Sequence, residues 1–261
     1  MGWFTEETGI QSWQDAEVNA ERLIHLGLKR PRLQQLLRMH MRLRAGLLVT
    51  VLLVGLLPVL AGEPASATTI TARSMLFKLA LKAESGNSSY SRTYFKHWVD
   101  ANSDCQNTRA EVLIAESKVT PTYTSSSHCS VAKGKWYSYY DGATWTNPAD
   151  VDIDHLVALA EAWGSGARLW SVTNRTRYAN DLGFSASLVA VTDNVNQSKS
   201  AKDPAEWLPP RTAARCTYAI QWVQVKYRWR LSIDSAERSR LSSILSGTCG
   251  ARAATVPARA I

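Results

Sequence analysis

Hydrophobic positions follow three rhythms along the chain. Residues 45–60 (AGLLVTVLLVGLLPVL) form one uncharged run, with Arg42 and Arg44 just before it and Ala65-Ser66-Ala67 after it. A basic flank, an apolar core of about 7–15 residues and a small-x-small site are the parts of a secretory signal. A spanning helix needs roughly 20 apolar residues. The run therefore predicts export, with an uncleaved membrane anchor as the alternative. Met39 or Met41 would open a signal of ordinary length, which assigns 39–67 as the signal peptide. Residues 1–38 are then an N-terminal extension, one that need not be translated. With a single such run, a multi-span membrane protein is excluded.

Beyond residue 67, helical and strand periods alternate. Residues 72–82 read as a helix, and Tyr94, Phe95 and Trp98 recur at near-helical spacing within 90–99. An apolar pattern resumes at 111–116, and 120–130 is a Ser/Thr-rich loop. Five aromatics around Asp141-Gly142 in 136–145 predict a hairpin. Residues 151–155 alternate as a short strand and give way to a helical run through Trp163, stopped by Gly164 and Gly166. A second strand covers 188–192. Asp193 sits where a cap belongs, before a short polar helix at 194–200. After Pro209-Pro210, an amphipathic helix spans 213–229. Another begins at Asp234 with Glu237 three residues on, a capping-box pattern ending at Gly247. No linker divides 68–261, so the expectation is one α+β domain.

Charge sharpens this picture. The whole chain carries 30 Lys+Arg against 22 Asp+Glu. Residues 68–261 keep 23 basic and 16 acidic side chains, so the basic bias belongs to the exported part. It favours an acidic partner: nucleic acid, anionic lipid or cell-wall polymer. Cys105, Cys129, Cys216 and Cys249 all lie there, without a CxxC pair. Behind a signal peptide, an even number of widely spaced cysteines reads as two disulfides rather than a zinc site. Of three possible pairings, Cys105–Cys129 and Cys216–Cys249 close the short local loops and are favoured.

The densest reactive cluster is Asp150-Val151-Asp152-Ile153-Asp154-His155. Strand alternation turns Val151 and Ile153 to the core and the carboxylates to the other face. Three carboxylates on one face are tolerated only with a positive partner, a metal or a Lys/Arg side chain. One reading is a calcium loop, with Asp150, Asp152 and Asp154 at positions 1, 3 and 5 and Glu161 at position 12. Position 6 needs Gly, and His155 stands there. The other reading is a nuclease. Phosphodiester hydrolysis needs a base for water and a divalent cation for the phosphate. Asp154 and His155 supply one of each at a strand end, and Asn194, Asn196 and Lys199 follow the next strand. Two strands, the first ending in Asp-His, followed by a short Asn-bearing helix make a ββα-metal arrangement.

The segments Asp152-Ile153-Asp154-His155-Leu156-Val157, Leu188-Val189-Ala190-Val191-Thr192 and Asn194-Val195-Asn196-Gln197-Ser198-Lys199-Ser200 resemble the HNH (His-Me finger) endonucleases. They are similar in pattern to the HNH domain of CRISPR RNA-guided nucleases. The closer likeness is to the branch named after the C-terminal domain of GmrSD-type restriction endonucleases, including its small secreted bacterial members. Ala160-Glu161-Ala162-Trp163, Tyr178-Ala179-Asn180-Asp181-Leu182 and Asp203-Pro204-Ala205-Glu206-Trp207-Leu208-Pro209 belong to the same pattern. The likeness covers residues 90–249.

The resemblance implies a secreted, divalent-metal-dependent (Mg²⁺ or Mn²⁺) endonuclease that acts on nucleic acid, DNA first, and leaves 5′-phosphate and 3′-hydroxyl ends. It implies His155 as general base, Asp154 and Asn196 as metal ligands, and Lys199 beside the phosphate. Asp152, Glu161 and Asn180 would stand behind the ligands. Ser187 occupies the place of a bracing Asn in many HNH sites, and Asn180 or Asn194 is the candidate substitute. The competing class is a non-catalytic calcium-binding or cell-envelope-binding module. Lys226, Arg228 and Arg230 among Trp222, Tyr227 and Trp229, with Arg168, Arg175 and Arg177, are the candidate backbone-binding set. No base-reading motif is present, so weak sequence preference is expected. After signal cleavage no stable membrane association is expected.

Overall fold

The computed structural model describes residues 68–261; the expected signal peptide and extension lie outside them. In chain order the elements are β1 (Thr69–Thr71), α1 (Ala72–Leu76), α2 (Thr108–Glu116), β2 (Thr122–Tyr123), β3 (Val131–Lys133), β4 (Trp136–Tyr137), β5 (Thr144–Trp145) and β6 (Val151–His155). Then follow α3 (Leu159–Gly164), α4 (Val172–Ala179), β7 (Leu188–Thr192), α5 (Asp193–Lys199), α6 (Arg215–Arg228), α7 (Ser235–Ile244), α8 (Gly247–Ala251) and β8 (Ala253–Thr255). Helix and strand are mixed, as expected. Every sheet is a two-stranded antiparallel pair: β1 with β8, β2 with β3, β4 with β5, β6 with β7. No described helix is long and apolar enough to cross a membrane.

The central pair runs from Val151↔Thr192 to His155↔Leu188. Parity divides it between two cores. Val151 and Ile153 pack with Leu188, Ala190, Val112, Leu113 and Trp136. Val189 and Val191, cross-strand neighbours of Asp154 and Asp152, face the main core with Tyr140, Tyr218, Trp222 and Trp229. The alternation is therefore as expected, but the carboxylate face looks into protein and not into water. Asp154 and His155 are both buried.

Local chemistry sets the other boundaries. Asn107, Ser171 and Asp234 cap α2, α4 and α7, each accepting from a backbone N–H. This is the usual way to satisfy the free donors of a first turn. Gly142, at φ 86°, turns β4 into β5. Asp193 is the first residue of α5 rather than its cap, which is Thr192. The helix expected over 72–82 stops at Leu76, and 90–99 forms only one short 3₁₀ turn, Arg92–Tyr94. There Phe95 is core while Tyr94 is exposed.

The disulfides are Cys105–Cys129 and Cys216–Cys249, the favoured pairing. They span 24 and 33 residues. Loops of that length correspond to about 3.5 kcal/mol each in the chain-entropy account.

Candidate active site

The strand end of β6 opens on a cleft of about 480 Å³, bounded by Tyr90, Arg92, Asp154, His155, Asn196 and Ser200 among others. Asp154, His155 and Asn196, expected together, share this wall. Asp154 Oδ1 accepts from Lys199 Nζ at 2.9 Å and Oδ2 from the Tyr140 hydroxyl at 2.7 Å. Burial raises the Asp154 carboxyl above its ordinary value, and Lys199 and Tyr140 oppose that shift. The positive partner that the carboxylates require is thus Lys199, while the Arg109 guanidinium donates to the Val151 carbonyl, next to Asp152, at 2.8 Å.

Lys199 is placed differently from the expectation. It is fully buried, with its ammonium on Asp154 and on the His155 carbonyl at 3.2 Å, so it stands behind the carboxylate and not beside a phosphate. Asn196 Nδ2 donates to Asp152 Oδ2 at 3.1 Å. That bond fixes the amide and leaves Oδ1 as its free acceptor.

His155 Nε2 lies 2.9 Å from the Ala179 carbonyl. A carbonyl only accepts, so Nε2 carries the hydrogen and Nδ1 the lone pair. Ala179 is the last residue of α4, where carbonyls lack intrahelical partners. Nδ1 has no donor among the described residues, and it is not one of the sealed-off unpartnered atoms. Burial, helped by nearby positive charges that include Arg92, outweighs the hydrogen bond to Ala179 and pushes the imidazole down to about 3. His155 is therefore neutral at physiological pH. Trp98 stacks on the ring at 5.5 Å between centroids and 27°, and Tyr178 at 6.5 Å and 21°.

Asn180 is tied to the backbone around Trp98. Its Oδ1 accepts from Val99 N–H at 3.0 Å and from Thr108 Oγ1 at 2.8 Å. Its Nδ2 donates to the Lys96 and Thr176 carbonyls. Trp98 sits at φ 57°, a strained value for a non-glycine residue, directly between two of these anchors. Ser187 instead donates to Asp181 Oδ2 at 2.7 Å, and Asn194 is exposed.

Glu161 stands apart from the cleft. Its Oε1 accepts from Lys226 Nζ at 2.6 Å and from Ser165 Oγ at 2.6 Å, and Lys226 also reaches Glu237 Oε2 at 2.6 Å. The calcium-loop reading fails here, because Asp152 and Asp154 lie on a paired strand and Glu161 points into another cluster. Of the expected nucleic-acid set, Lys226, Trp222 and Trp229 are core, and Arg228 pairs with Asp181 at 2.8 Å. A neighbouring cavity of about 520 Å³ shares Tyr90, Ala160, Ser200 and Ala201 with the cleft. On its wall, Glu84, Asp203 and Asp234 bring oxygens within 4.8 Å of one another, an acidic group the sequence reading did not name. A hydrogen bond with Glu161, with burial, pushes Glu84 up to about 8.

Tyr140, Trp98, Ala179 and Arg92 also escaped the sequence reading. Aromatic spacing flagged Trp98 as core only. The others carry no local signal.

A small disulfide-bonded α+β domain with a histidine–carboxylate–amide cleft is the class of protein defined so far. Residues 107–244 match the family described as GmrSD restriction endonucleases, C-terminal domain, and the chain belongs to it. The chain is also 44% identical, over 179 residues, to an uncharacterized secreted protein of Arthroderma benhamiae. That match spans 69% of this chain and 85% of the relative. No solved structure matches the chain. The family points to nuclease-like activity on nucleic acid. The relative's name and the two disulfides agree that this is a secreted protein.

Proposed function

We propose that the domain is a secreted, divalent-cation-dependent endonuclease that hydrolyses DNA phosphodiester bonds with little sequence preference, leaving 5′-phosphate and 3′-hydroxyl ends. The carrying observation is that Asp154, His155 and Asn196, from two different elements, line one cleft. The β6–β7 pair with α5 directly after it is consistent with a ββα-metal motif.

The donors suit a hard cation. Each Asp154 oxygen keeps one lone pair beyond its present partner, and Asn196 offers Oδ1. One carboxylate and one amide oxygen, completed by waters and substrate, is the kind of set that Mg²⁺ or Mn²⁺ takes. The bound cation would neutralise charge growing on the phosphate and the leaving oxygen.

The chain's own groups do the rest. His155, held neutral with Nδ1 open, accepts the proton of the attacking water. Ala179 and Trp98 fix the ring while Nε2–H stays on the carbonyl. Lys199 and Tyr140 hold the Asp154 carboxylate in one orientation, and Asp152 does the same for Asn196. The mature chain is placed at 68–261, behind a signal peptide at 39–67, and mass spectrometry of the secreted N-terminus checks that boundary.

Supercoiled plasmid incubated with the secreted protein and Mg²⁺ or Mn²⁺ is expected to be nicked, and EDTA to abolish nicking. Intact plasmid with folded protein and Mg²⁺ or Mn²⁺ would refute the reading.

A further inference from the structure

A phosphodiester entering this cleft meets carboxylates. Asp152 and Asp154 stand on or behind its wall, and Lys199, the one ammonium nearby, is fully buried against Asp154. Attraction for the substrate must come from a positive group that faces the opening. Among the residues bounding the cleft, Arg92 is the only lysine or arginine. Its side chain is exposed, forms no ion pair with a described carboxylate, and has the Tyr90 phenol as its polar neighbour.

The turn that carries it is well anchored. Arg92 opens a 3₁₀ turn, Arg92–Tyr94, capped by Ser91, whose Oγ accepts from Thr93 N–H. The next residue, Phe95, is 1% exposed and packs edge-on against Trp163 and Tyr178. Tyr94 stacks on Trp163 at 5.0 Å and 22°, and Tyr90 meets Phe95 and Trp163. Arg92 thus bounds the cleft from a base packed among five aromatic rings. Arg92 and His155 both bound this cleft.

We infer that Arg92 is the phosphate-binding arm of the cleft, taking the non-bridging oxygens of a substrate phosphodiester in the cleft that His155 also lines. The guanidinium fork matches two phosphate oxygens at once, which an ammonium cannot do. The inference rests on the nuclease reading for its ligand, but it concerns binding and is testable without turnover.

The test is fluorescence anisotropy of a fluorescein-labelled DNA duplex in EDTA, where no cleavage occurs, with secreted wild type, Arg92→Ala and Arg92→Lys. Because the side chain is exposed, both variants should unfold at the wild-type temperature, which circular dichroism checks. Arg92→Ala is expected to raise Kd at least about tenfold, and to lower the salt slope of log Kd by about one unit. Arg92→Lys should recover the slope and only part of the affinity. Arg92→Ala binding within twofold of wild type, or an unchanged slope, overturns the inference. The same proteins are run in the plasmid assay. A wild type that binds through Arg92 and does not nick counts against the nuclease reading alone. A wild type that nicks, beside an Arg92→Ala that binds equally well, counts against Arg92 alone. A wild type that neither binds nor nicks counts against both.

Discussion

Lys226→Met replaces a buried ammonium by an apolar side chain of similar length. Lys226 is fully buried and donates to Glu161 and Glu237 at 2.6 Å each, to Ser165 Oγ at 3.0 Å and to the Ser232 carbonyl at 3.0 Å. Burial alone would raise Glu161, yet Lys226, with hydrogen bonds, holds it down to about 2. Glu237, by contrast, is raised by burial to about 7 despite the same lysine. Without the lysine, Glu161 must either stay charged in the core or take a proton. Each pH unit between the ordinary glutamate value and the working pH costs about 1.4 kcal/mol, so neutralising one carboxyl at pH 7 costs about 4 kcal/mol. That agrees with the roughly 3–5 kcal/mol lost when one partner of a buried pair is removed.

The sign with pH follows. In the wild type, the Glu161 contribution is present above the ordinary glutamate value and is lost as pH falls towards 2. In the variant, Glu161 is protonated when folded, so stability falls as pH rises and the penalty shrinks to about 1 kcal/mol at pH 5. Urea unfolding with the disulfides intact, at pH 7 and pH 5, measures both numbers. At pH 7 the variant should also melt roughly 8–16 °C lower, at about 2–4 °C per kcal/mol for a domain of this size. Adding Glu161→Gln and Glu237→Gln should return most of the loss, since no buried charge then lacks a partner. A Lys226→Met protein as stable as wild type at pH 7, or a penalty equal at both pH values, would refute this reasoning.

Three further outcomes are expected. Asn180→Ala should lower kcat about tenfold or more with little change in KM, because it frees the backbone on both sides of Trp98 without touching substrate; steady-state nicking kinetics at a temperature where the variant is folded measure this. Replacing either cysteine pair by serine should cost about 3–4 kcal/mol in urea unfolding, and a non-reducing peptide map should return only the pairs Cys105–Cys129 and Cys216–Cys249. Burial opposes ionisation of Asp181, but hydrogen bonds from Arg228, Ser187 and Trp229 outweigh it and lower its carboxyl. Asp181→Asn should therefore cost about 2 kcal/mol at pH 7, an excess that disappears as pH falls below the ordinary aspartate range.

The chain displayed its short-range features openly. Strands β6 and β7 fall on the residues whose β-branched, apolar pattern predicts them, and the favoured cysteine pairing is the one formed. Local pattern also brought Asp154 and His155 forward together, and Asn196 joined them through the family resemblance. Contacts that cross the fold were hidden, because periodicity reports a residue's face and not its partner. Nothing in Tyr140 shows that it will donate to Asp154, nor in Ala179 that its carbonyl will hold His155. The burial of Lys199, expected beside the phosphate, was hidden for the same reason: the core covers it completely. The capping-box pattern at Asp234 and Glu237 was half informative. Asp234 caps α7, but the Glu237 side chain turns inward to Trp222 and Lys226.

Calorimetric titration of Mn²⁺ into wild type, Asn196→Ala and His155→Ala, paired with single-turnover nicking of plasmid by each, bears most directly on the account. Wild type should bind one ion at the cleft. Asn196→Ala should lose at least about tenfold in ion affinity. His155→Ala should bind the ion nearly as wild type does while nicking at least about 10²-fold more slowly. Mn²⁺ affinity indifferent to Asn196, or a His155→Ala protein that nicks at the wild-type rate, would contradict it.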